Sequence, residues 1–447
     1  METKEIVSLV SLGCAKNLVD SEVILGLLIE NGYRLSQIEE EAEIIIVNTC
    51  GFIKEAKEES IETILELAEL KNKGNCKLLV VTGCLFQRYQ DTLVKELPEV
   101  DIFIGTGEFQ RVVDILEQVK VSKNPARSYI GVPEFIYSDK TPRVNTFANY
   151  SAYVKIAEGC SNSCSYCVIG NIRGQFRSRP PDHIINEVKS LVKMGVKEIN
   201  LIGQDTTRYG SDLSSVINLE GLLRRLAKIE KLEWIRILYA HPSHFTEGLL
   251  KAIKEEEKVC KYVDLPIQHI NDEILESMNR KTKGRFIRKL IEDLRKEIPD
   301  ICIRTSMIVG FPGETEEQFE ELLKFVKYAE FERLGAFEYS REEGTLAYTF
   351  PDQISKKKKK ERFRRLMETQ QEITLRNNKK LIGANTKVLI EDIDEDTGLL
   401  KGRIPSQAPD VDGVTYLIKW NADLGEICDI VITGVHEYDL MGELIIE

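Results

Sequence analysis

Cys160-Ser-Asn-Ser-Cys164-Ser-Tyr-Cys167 is a CxxxCxxC triplet that follows a predicted strand at Tyr153–Ala157. Soft thiolate sulfur is the preferred ligand of iron–sulfur clusters, so three thiolates this close together can hold three corners of a four-iron cluster. Such a cluster needs four ligands, which leaves one iron open for a ligand that is not protein. Structural zinc sites usually close with four ligands, and the local loop offers no His and no further Cys. A zinc loop or three unrelated thiols are the alternative interpretations.

Downstream of the triplet, apolar runs alternate with amphipathic stretches, which is the pattern of βα units. Six such units predict an incomplete TIM-like barrel whose chemistry lies at the C-terminal ends of the strands. Cys160 follows the first strand, as this rule expects. The strand candidates are Tyr153–Ala157, Glu198–Ile202, Trp234–Tyr239, Tyr262–Pro266, Cys302–Val309 and Leu334–Tyr339.

Residues 1–120 carry a second α/β pattern, which predicts an open parallel sheet. Its predicted strands are Glu5–Leu12, Glu43–Val47, Lys77–Val81 and Asp101–Ile104. Cys14, Cys50 and Cys84 each come just after a strand, and ligands gather along that edge of such sheets. We therefore expect these three thiols to converge on one site, although buried packing cysteines are the ordinary alternative. Residues 121–150, with three prolines and no sustained period, are predicted to be a linker.

Composition favours an intracellular soluble protein. The chain has 447 residues, a formal net charge of −12 and ten cysteines. No long apolar run predicts a membrane span, and the N-terminus lacks the pattern of a secretory signal. Cysteines without export indicate ligand or catalytic thiols rather than disulfides. We therefore expect a cytoplasmic protein without a membrane partner.

The C-terminal part begins with a long polar helix, predicted at Ser355–Asn378, whose basic run is either a solvated face or a contact with RNA phosphates. Residues 381–447 are rich in Val and Ile and predict a small β-barrel with strands at Lys387–Ile393, Leu399–Ile404, Thr415–Lys419 and Ile427–Val435. This segment holds four basic and fourteen acidic residues. Its charge suits a basic protein better than a nucleic acid, and we expect exposed acids such as Asp410 and Asp412 to steer that partner.

The central triplet resembles the signature of the radical S-adenosylmethionine (SAM) enzymes, in which an aromatic residue, here Tyr166, usually precedes the last Cys. The resemblance implies that Cys160, Cys164 and Cys167 hold a four-iron cluster whose open iron binds SAM. Two further positions lie beside SAM in this superfamily. They correspond here to Tyr166 and to Gly310, the first residue of the stretch GFPGET. His269, Cys76, Cys260 and Cys302 are expected to be structural.

Three further strings, SLGCAKNLVDSE (11–22), NTCGFIKEAKEES (48–60) and GCLFQRY (83–89), resemble the amino-terminal domain of the methylthiotransferases. In that family the cysteines matching Cys14, Cys50 and Cys84 bind a second four-iron cluster. Relatives that modify tRNA typically have Gln-Met-Asn after the first Cys and Ser-Val-Arg after the second. The strings Ala15-Lys16-Asn17 and Gly51-Phe52-Ile53 instead resemble the RimO branch.

The resemblance covers nearly the whole chain and implies an α/β protein of three domains. These are an open parallel α/β domain (1–120), a partial (β/α)6 radical SAM core (151–376) and a TRAM-like β-barrel (381–447). It implies a methylthiotransferase that modifies the β-carbon of an aspartate in small-subunit ribosomal protein twelve, free or in the ribosome. It also implies two 4Fe–4S clusters, SAM, an electron donor and a sulfur donor, with no catalytic residue beyond the cluster ligands. The alternatives are a tRNA adenosine methylthiotransferase, the only case that needs tRNA, and a non-enzymatic iron–sulfur electron carrier.

Overall fold

The computed structural model describes residues 4–214, 217–418 and 422–445. Its N-terminal part is a six-stranded sheet in the order β2-β1-β3-β4-β5-β6, and every neighbouring pair is parallel. The strands are β1 (Ile6–Ser11), β2 (Arg34–Leu35), β3 (Ile44–Thr49), β4 (Leu78–Gly83), β5 (Ile102–Ile104) and β6 (Ser128–Tyr129). The helices are α1 (Ala15–Glu30), α2 (Lys54–Ala68), α3 (Leu70–Lys73), α4 (Cys84–Glu96) and α5 (Val112–Val121).

This sheet is buried on both faces, which explains the continuous apolar runs in its central strands. All six residues of β3 are buried. The stretch predicted as a linker is more ordered than its prolines indicated, because β6 pairs with β5 as the edge strand. Tyr137 and Arg143 from the same stretch are also buried against Glu187 of the next region.

The central part contains six parallel strands that follow one another in chain order, which confirms the predicted partial barrel. Two three-stranded groups, β7-β10-β11 and β12-β13-β14, are joined by an isolated bridge between Ile235 and Val259. The six barrel strands are β7 (Ser151–Lys155), β10 (Glu198–Ile202), β11 (Trp234–Ile237), β12 (Tyr262–Asp264), β13 (Cys302–Val309) and β14 (Arg333–Glu338). The short strands β8 (Ala157–Glu158) and β9 (Arg177–Ser178) form a separate antiparallel pair.

Eight helices follow or flank these strands in the part of the chain that the structure describes. Amphipathic patterns and local caps define them: Thr315 and Gln318, for example, form a reciprocal capping box at the start of α12. The helices are α6 (Ile169–Arg173), α7 (Pro181–Lys193), α8 (Leu219–Leu226), α9 (Glu247–Glu255), α10 (Asp272–Ser277), α11 (Gly284–Glu297), α12 (Glu316–Ala329) and α13 (Lys356–Lys379). None of the described helices is both long and apolar enough to cross a membrane.

The C-terminal part is a closed five-stranded barrel in the order β15-β16-β17-β19-β18, which confirms the predicted small β-barrel. Its strands are β15 (Asn385–Ile393), β16 (Leu400–Arg403), β17 (Thr415–Leu417), β18 (Ile427–His436) and β19 (Asp439–Leu444). The sequence patterns missed β19, which closes the barrel by pairing parallel to β17. The predicted strand at 415–419 ends earlier, and Lys419 lies outside the described residues.

The expectation of a free steering surface was wrong for Asp412, which is buried, whereas Asp410 is exposed although it is hydrogen-bonded. The small barrel is docked on the first residues of the central strands, and these two acids take part in the contact. Asp410 accepts a hydrogen bond from Tyr153 (2.8 Å), and Asp412, whose side chain is only 1% exposed, accepts one from Tyr262 (2.7 Å). Arg403 reaches the buried Glu198 in the same interface.

The basic run of α13 is partly neutralised within the protein, while Lys356, Lys357 and Lys360 are exposed and form no ion pair among the described residues. Arg362 is buried and pairs with Glu314 at 2.8 Å, while Arg365 pairs with Glu316 at 2.7 Å. Lys359 donates to the carbonyl of Tyr339. These contacts give Arg362, Arg365 and Lys359 structural roles.

Candidate active site

Three loops of the N-terminal sheet bring Cys14, Cys50 and Cys84 together. A glycine beside each cysteine makes this possible. A side chain at Gly13 would lie 2.7 Å from Cys50 Cβ, and one at Gly51 would lie 2.7 Å from the backbone of Leu85. The glycine before Cys84, Gly83, has φ +101° and lies against Thr49. The loops can approach this closely only because these positions lack Cβ atoms.

The N-terminal thiols are surrounded by positive charge. Burial raises the pKa of the Cys84 thiol to about 12, although the Arg173 guanidinium, 3.4 Å from Sγ, opposes this. Burial also acts to raise the pKa of Cys14. The positive charges of Lys16 and Arg173 have the larger effect, so the Cys14 pKa lies below its ordinary value. Positive groups next to thiols favour the thiolate, the form that binds metal.

The central triplet lies in the loop between β8 and α6, at the C-terminal end of the first barrel strand. Cys160 is held by its amide, which donates to the carbonyl of Gly174 at 3.0 Å. Cys164 lies 3.9 Å from the guanidinium of Arg280. Burial raises the pKa of Cys167 to about 12, with further contributions from Cys164 and Cys160. The three thiols are therefore close enough to influence one another.

The two triplets lie on either side of the short helix α6. This helix begins two residues after Cys167, and its residue Ile172 packs with Val168 against Cys84. Its last residue, Arg173, reaches Cys84 as described above. One turn and a half of helix therefore joins the central triplet to the N-terminal triplet.

A buried network of charges, which sequence reasoning missed, seals this junction. Asp20 of α1 binds both Lys155 of β7 and Arg173 of α6. Glu158 pairs with Lys155 at 2.6 Å and accepts a hydrogen bond from Gln204 at 2.8 Å. All four charged side chains are at most 8% exposed. Asp20 lies within the string around Cys14, but only the three-dimensional contact with the barrel reveals its partners.

Tyr166 and Gly310, the predicted SAM neighbours, belong to one local cluster. The ring of Tyr166 packs edge-on against Phe311, with ring centroids 6.5 Å apart. The amide of Gly310 already donates to Glu314, and a side chain at Gly310 would meet Lys359. Any contact of Gly310 with SAM is thus limited to its carbonyl oxygen, and both residues stay predictions.

His269 and the remaining cysteines have structural surroundings. His269 is fully buried, and its Nδ1 accepts a hydrogen bond from the amide of Asn271 at 3.0 Å. Cys76, Cys260 and Cys302 are buried among apolar side chains. Asp205, His241 and His244 lie within 4.8 Å of one another near the central loop, where Asp205 binds Asn162 at 2.8 Å. His244 Nδ1 donates a hydrogen bond to the Asp205 carboxylate at 2.8 Å, so this group is already hydrogen-bonded internally.

Comparison with known proteins extends these observations over the whole chain. Residues 6–105 match the family described as "Uncharacterized protein family UPF0004", residues 154–326 match the radical SAM superfamily, and residues 382–445 match the TRAM domain. The "Ribosomal protein uS12 methylthiotransferase RimO" of Geobacter sulfurreducens is 55% identical over 99% of both chains. The chain belongs to the RimO family.

Other members and solved structures agree with this assignment. The RimO proteins of Geotalea uraniireducens and Desulforamulus reducens are 54% and 49% identical, over 99% and 98% of this chain and 99% of each relative. Among solved structures, the radical SAM methyltransferase TsrM from Kitasatospora setae, with cobalamin and a 4Fe–4S cluster bound, gives a TM-score of 0.55 at 16% identity, covering 75% of each chain. That similarity supports the fold alone. The chain is thus a radical SAM methylthiotransferase of a family that uses SAM and 4Fe–4S clusters.

Proposed function

We propose that this enzyme adds a methylthio group to the β-carbon of an aspartate in ribosomal protein uS12, and that its two cysteine triplets divide the work. Cys160, Cys164 and Cys167 would hold the cluster that binds SAM, and Cys14, Cys50 and Cys84 would hold a second cluster. The observation that carries this proposal is the position of the two triplets on opposite sides of α6.

The residues present fit two clusters of this kind. Each triplet offers three free thiols, of which Cys14 is exposed and the other five are partly or fully buried, and none of the ten cysteines is paired in a disulfide. Thiolate is the ligand that iron–sulfur clusters require, and three ligands leave one iron of each cluster open. When bound, the clusters and SAM would supply the radical that removes hydrogen, the sulfur and the methyl group.

The protein's own side chains would position the substrate and exclude water. Arg173 would hold Cys84 by an N–H···S contact, and Arg280 would do the same for Cys164. The buried charges of Asp20, Lys155 and Glu158 need no hydration, because each forms an ion pair within the protein. The junction can therefore exclude bulk water. A dry site is required wherever a reactive radical must not be quenched.

Tyr166 and Gly310 would contribute to SAM binding from the neighbouring cluster around Phe311. Tyr166 would support the loop of the central triplet by its packing, and the carbonyl of Gly310 would be the polar contact. This assignment is supported by the packing of Tyr166 against the apolar group that contains Phe311, Met278 and Tyr339, and by the position of Gly310 directly before Phe311 in the chain.

The remaining proposals concern organisation and partners. We assign residues 1–120 to the domain of the second cluster, 121–150 to a connecting segment, 151–376 to the radical SAM core and 381–447 to the TRAM barrel. An electron donor and a separate sulfur donor serve the enzyme, which acts in the cytoplasm. The tRNA alternative loses part of its support, since Arg362 and Arg365 of α13 are paired internally.

A direct test uses anaerobically reconstituted protein with SAM, a reductant and a sulfide source. Purified uS12 and unmodified tRNA are offered in separate reactions and analysed by mass spectrometry. We expect a methylthio group on one aspartate of uS12 and no change in tRNA. Methylthiolation of adenosine, with uS12 unchanged, would refute the proposed substrate.

A further inference from the structure

Lys16 has surroundings unlike those of the other buried basic residues near the junction. It is the second residue of α1, two positions after Cys14, and it is 9% exposed. Its ammonium lies over the ring of Tyr239, 3.1 Å from the centroid. Tyr239 follows β11, so the ammonium is held at the C-terminal ends of the barrel strands, where chemistry is expected in such barrels.

No acidic side chain among the described residues lies within ion-pair distance of Lys16. Asp20, one helical turn further along α1, is the acid that sequence spacing would offer as a partner. Asp20 instead binds Lys155 and Arg173. Asp264, which lies in the same region as Tyr239, is held by Arg304 at 2.9 Å and by the amide of Tyr239 at 2.9 Å.

A buried ammonium without a carboxylate partner is unusual, because burying an uncompensated charge is costly. Lys155 and Arg173, which are buried in the same junction, each have two acidic partners. The ring of Tyr239 offsets only part of the cost for Lys16, since a cation–π contact contributes about 0.5–2 kcal/mol. The ammonium of Lys16 therefore has no carboxylate at ion-pair distance, and it is offset only by the Tyr239 ring and by the more distant charges of Cys14 and Asp264.

Tyr239 is held in an unfavourable backbone conformation, with φ +59°. Its carbonyl accepts a hydrogen bond from the amide of Thr206 at 3.1 Å. Strain of this kind persists where the surroundings fix a residue, and it is concentrated at functional sites. Here its effect is to present the ring to Lys16.

We propose that Lys16 binds the carboxylate of the target aspartate and thereby makes the enzyme specific for an acidic side chain. This inference rests on the proposed function, because it names the group of uS12 that is recognised. The carboxylate of aspartate is one bond from the β-carbon, so a fixed carboxylate also fixes the carbon that reacts. Lys16 lies two residues from Cys14, on the side of the proposed second cluster.

A different role for Lys16 would be to support the charge of Cys14 without touching the substrate. The two roles differ in what they predict for the substrate. A residue that acts on Cys14 alone affects every substrate equally, whereas a carboxylate-binding residue distinguishes aspartate from the nearly isosteric asparagine. Sites built for one polar group reject the analogue that lacks it.

The experiment compares two synthetic uS12 peptides, one with the target aspartate and one with asparagine in its place. Anaerobic fluorescence anisotropy gives the Kd of each labelled peptide for the reconstituted parent, for Lys16→Met and for Lys16→Arg. Lys77→Met is the matched control, because that lysine lies in the same sheet region with a side chain 70% exposed. Iron content is measured for every protein, and mass spectrometry follows methylthiolation of both peptides by the parent.

We expect the parent to bind the aspartate peptide about 30-fold or more tightly than the asparagine peptide, the ratio that loss of one buried charge partner produces. Lys16→Met should bind both peptides with nearly the same Kd, while Lys16→Arg and Lys77→Met should keep the preference for aspartate. A parent that does not distinguish the peptides would overturn the inference without any protein variant. The inference would also be overturned if Lys16→Met weakened the binding of both peptides equally, or of neither. A parent that methylthiolates neither peptide would overturn the proposed function itself, and this inference with it.

Discussion

Replacing Glu342 by glutamine should loosen the N-terminal sheet region from the barrel. The Glu342 carboxylate, in the loop after β14, binds Lys57 of α2 at 2.7 Å and Arg88 of α4 at 2.9 Å. Arg88 also donates to the carbonyls of Gly51, next to Cys50, and of Glu343. One buried carboxylate thus joins the loop of the second triplet to the barrel.

The magnitude follows from burial. The side chains of Glu342, Arg88 and Lys57 are 4%, 7% and 19% exposed, so both cations would be left largely buried without a charge partner. Breaking such a pair from one side costs about 3–5 kcal/mol, and the amide oxygen of glutamine retains part of one hydrogen bond. We therefore expect a loss of about 2–4 kcal/mol in the free energy that holds the two regions together.

The assay is urea-induced unfolding of the apoprotein, followed by circular dichroism, for the parent, Glu342→Gln and Glu343→Gln. Glu343 is the matched control, since its side chain is exposed. Glu342→Gln should also lower methylthiolation of uS12 by about tenfold or more while SAM cleavage without substrate continues, because only the junction is disturbed. A change below about 0.5 kcal/mol, or equal effects of the two variants, would show that this contact does not hold the junction.

Further predictions concern the triplets and the barrel interface. Alanine at Cys160, Cys164 and Cys167 should remove about half of the roughly eight iron atoms of the reconstituted protein and abolish SAM cleavage; full iron would contradict the assignment. Alanine at Cys14, Cys50 and Cys84 should stop methylthiolation but leave SAM cleavage, and loss of cleavage in a folded variant would refute the division of labour. Burial alone would raise the pKa of Glu198, but Arg403 and Arg236 lower it from 4.5 to about 2. The ionised Glu198 therefore contributes about 3 kcal/mol to the free energy of unfolding above pH 4.5, and this contribution is lost as the pH falls towards 2. Urea unfolding across this range should show the free energies of unfolding of the parent and Glu198→Gln converging at the acid end.

Much of the fold was accessible from the sequence because its signals are local. Apolar runs such as Ile44–Val47 and caps such as Thr315 mark strands and helices wherever the chain places them. Ligands gather at the C-terminal ends of the strands in such sheets, so the sequence also predicted that Cys14, Cys50 and Cys84 lie along one edge of the N-terminal sheet. The strand β19 forms a hairpin with the neighbouring β18, but it was missed because its residues, Asp-Leu-Met-Gly-Glu-Leu, carry no regular alternation of polar and apolar side chains.

Contacts between regions were not accessible in the same way. Asp412 has the same local sequence character as an exposed turn residue, yet it is buried because Tyr262 and Arg304 lie opposite it. Arg362 belongs to a basic run that resembles a solvated face, but Glu314, in the loop before α12, pairs with it. Spacing within one element cannot reveal a partner that another element supplies.

The central claim is that this enzyme modifies an aspartate of uS12. Its most direct test is mass spectrometry of uS12 and tRNA from a strain that lacks the gene, complemented with the parent or with the alanine variant of Cys160, Cys164 and Cys167. We predict that only the parent restores the mass of one sulfur and one CH2 unit on a single uS12 aspartate, with tRNA modification unchanged throughout. An unmodified uS12 in the complemented strain, or a methylthio group that depends on this gene only in tRNA, would contradict the account.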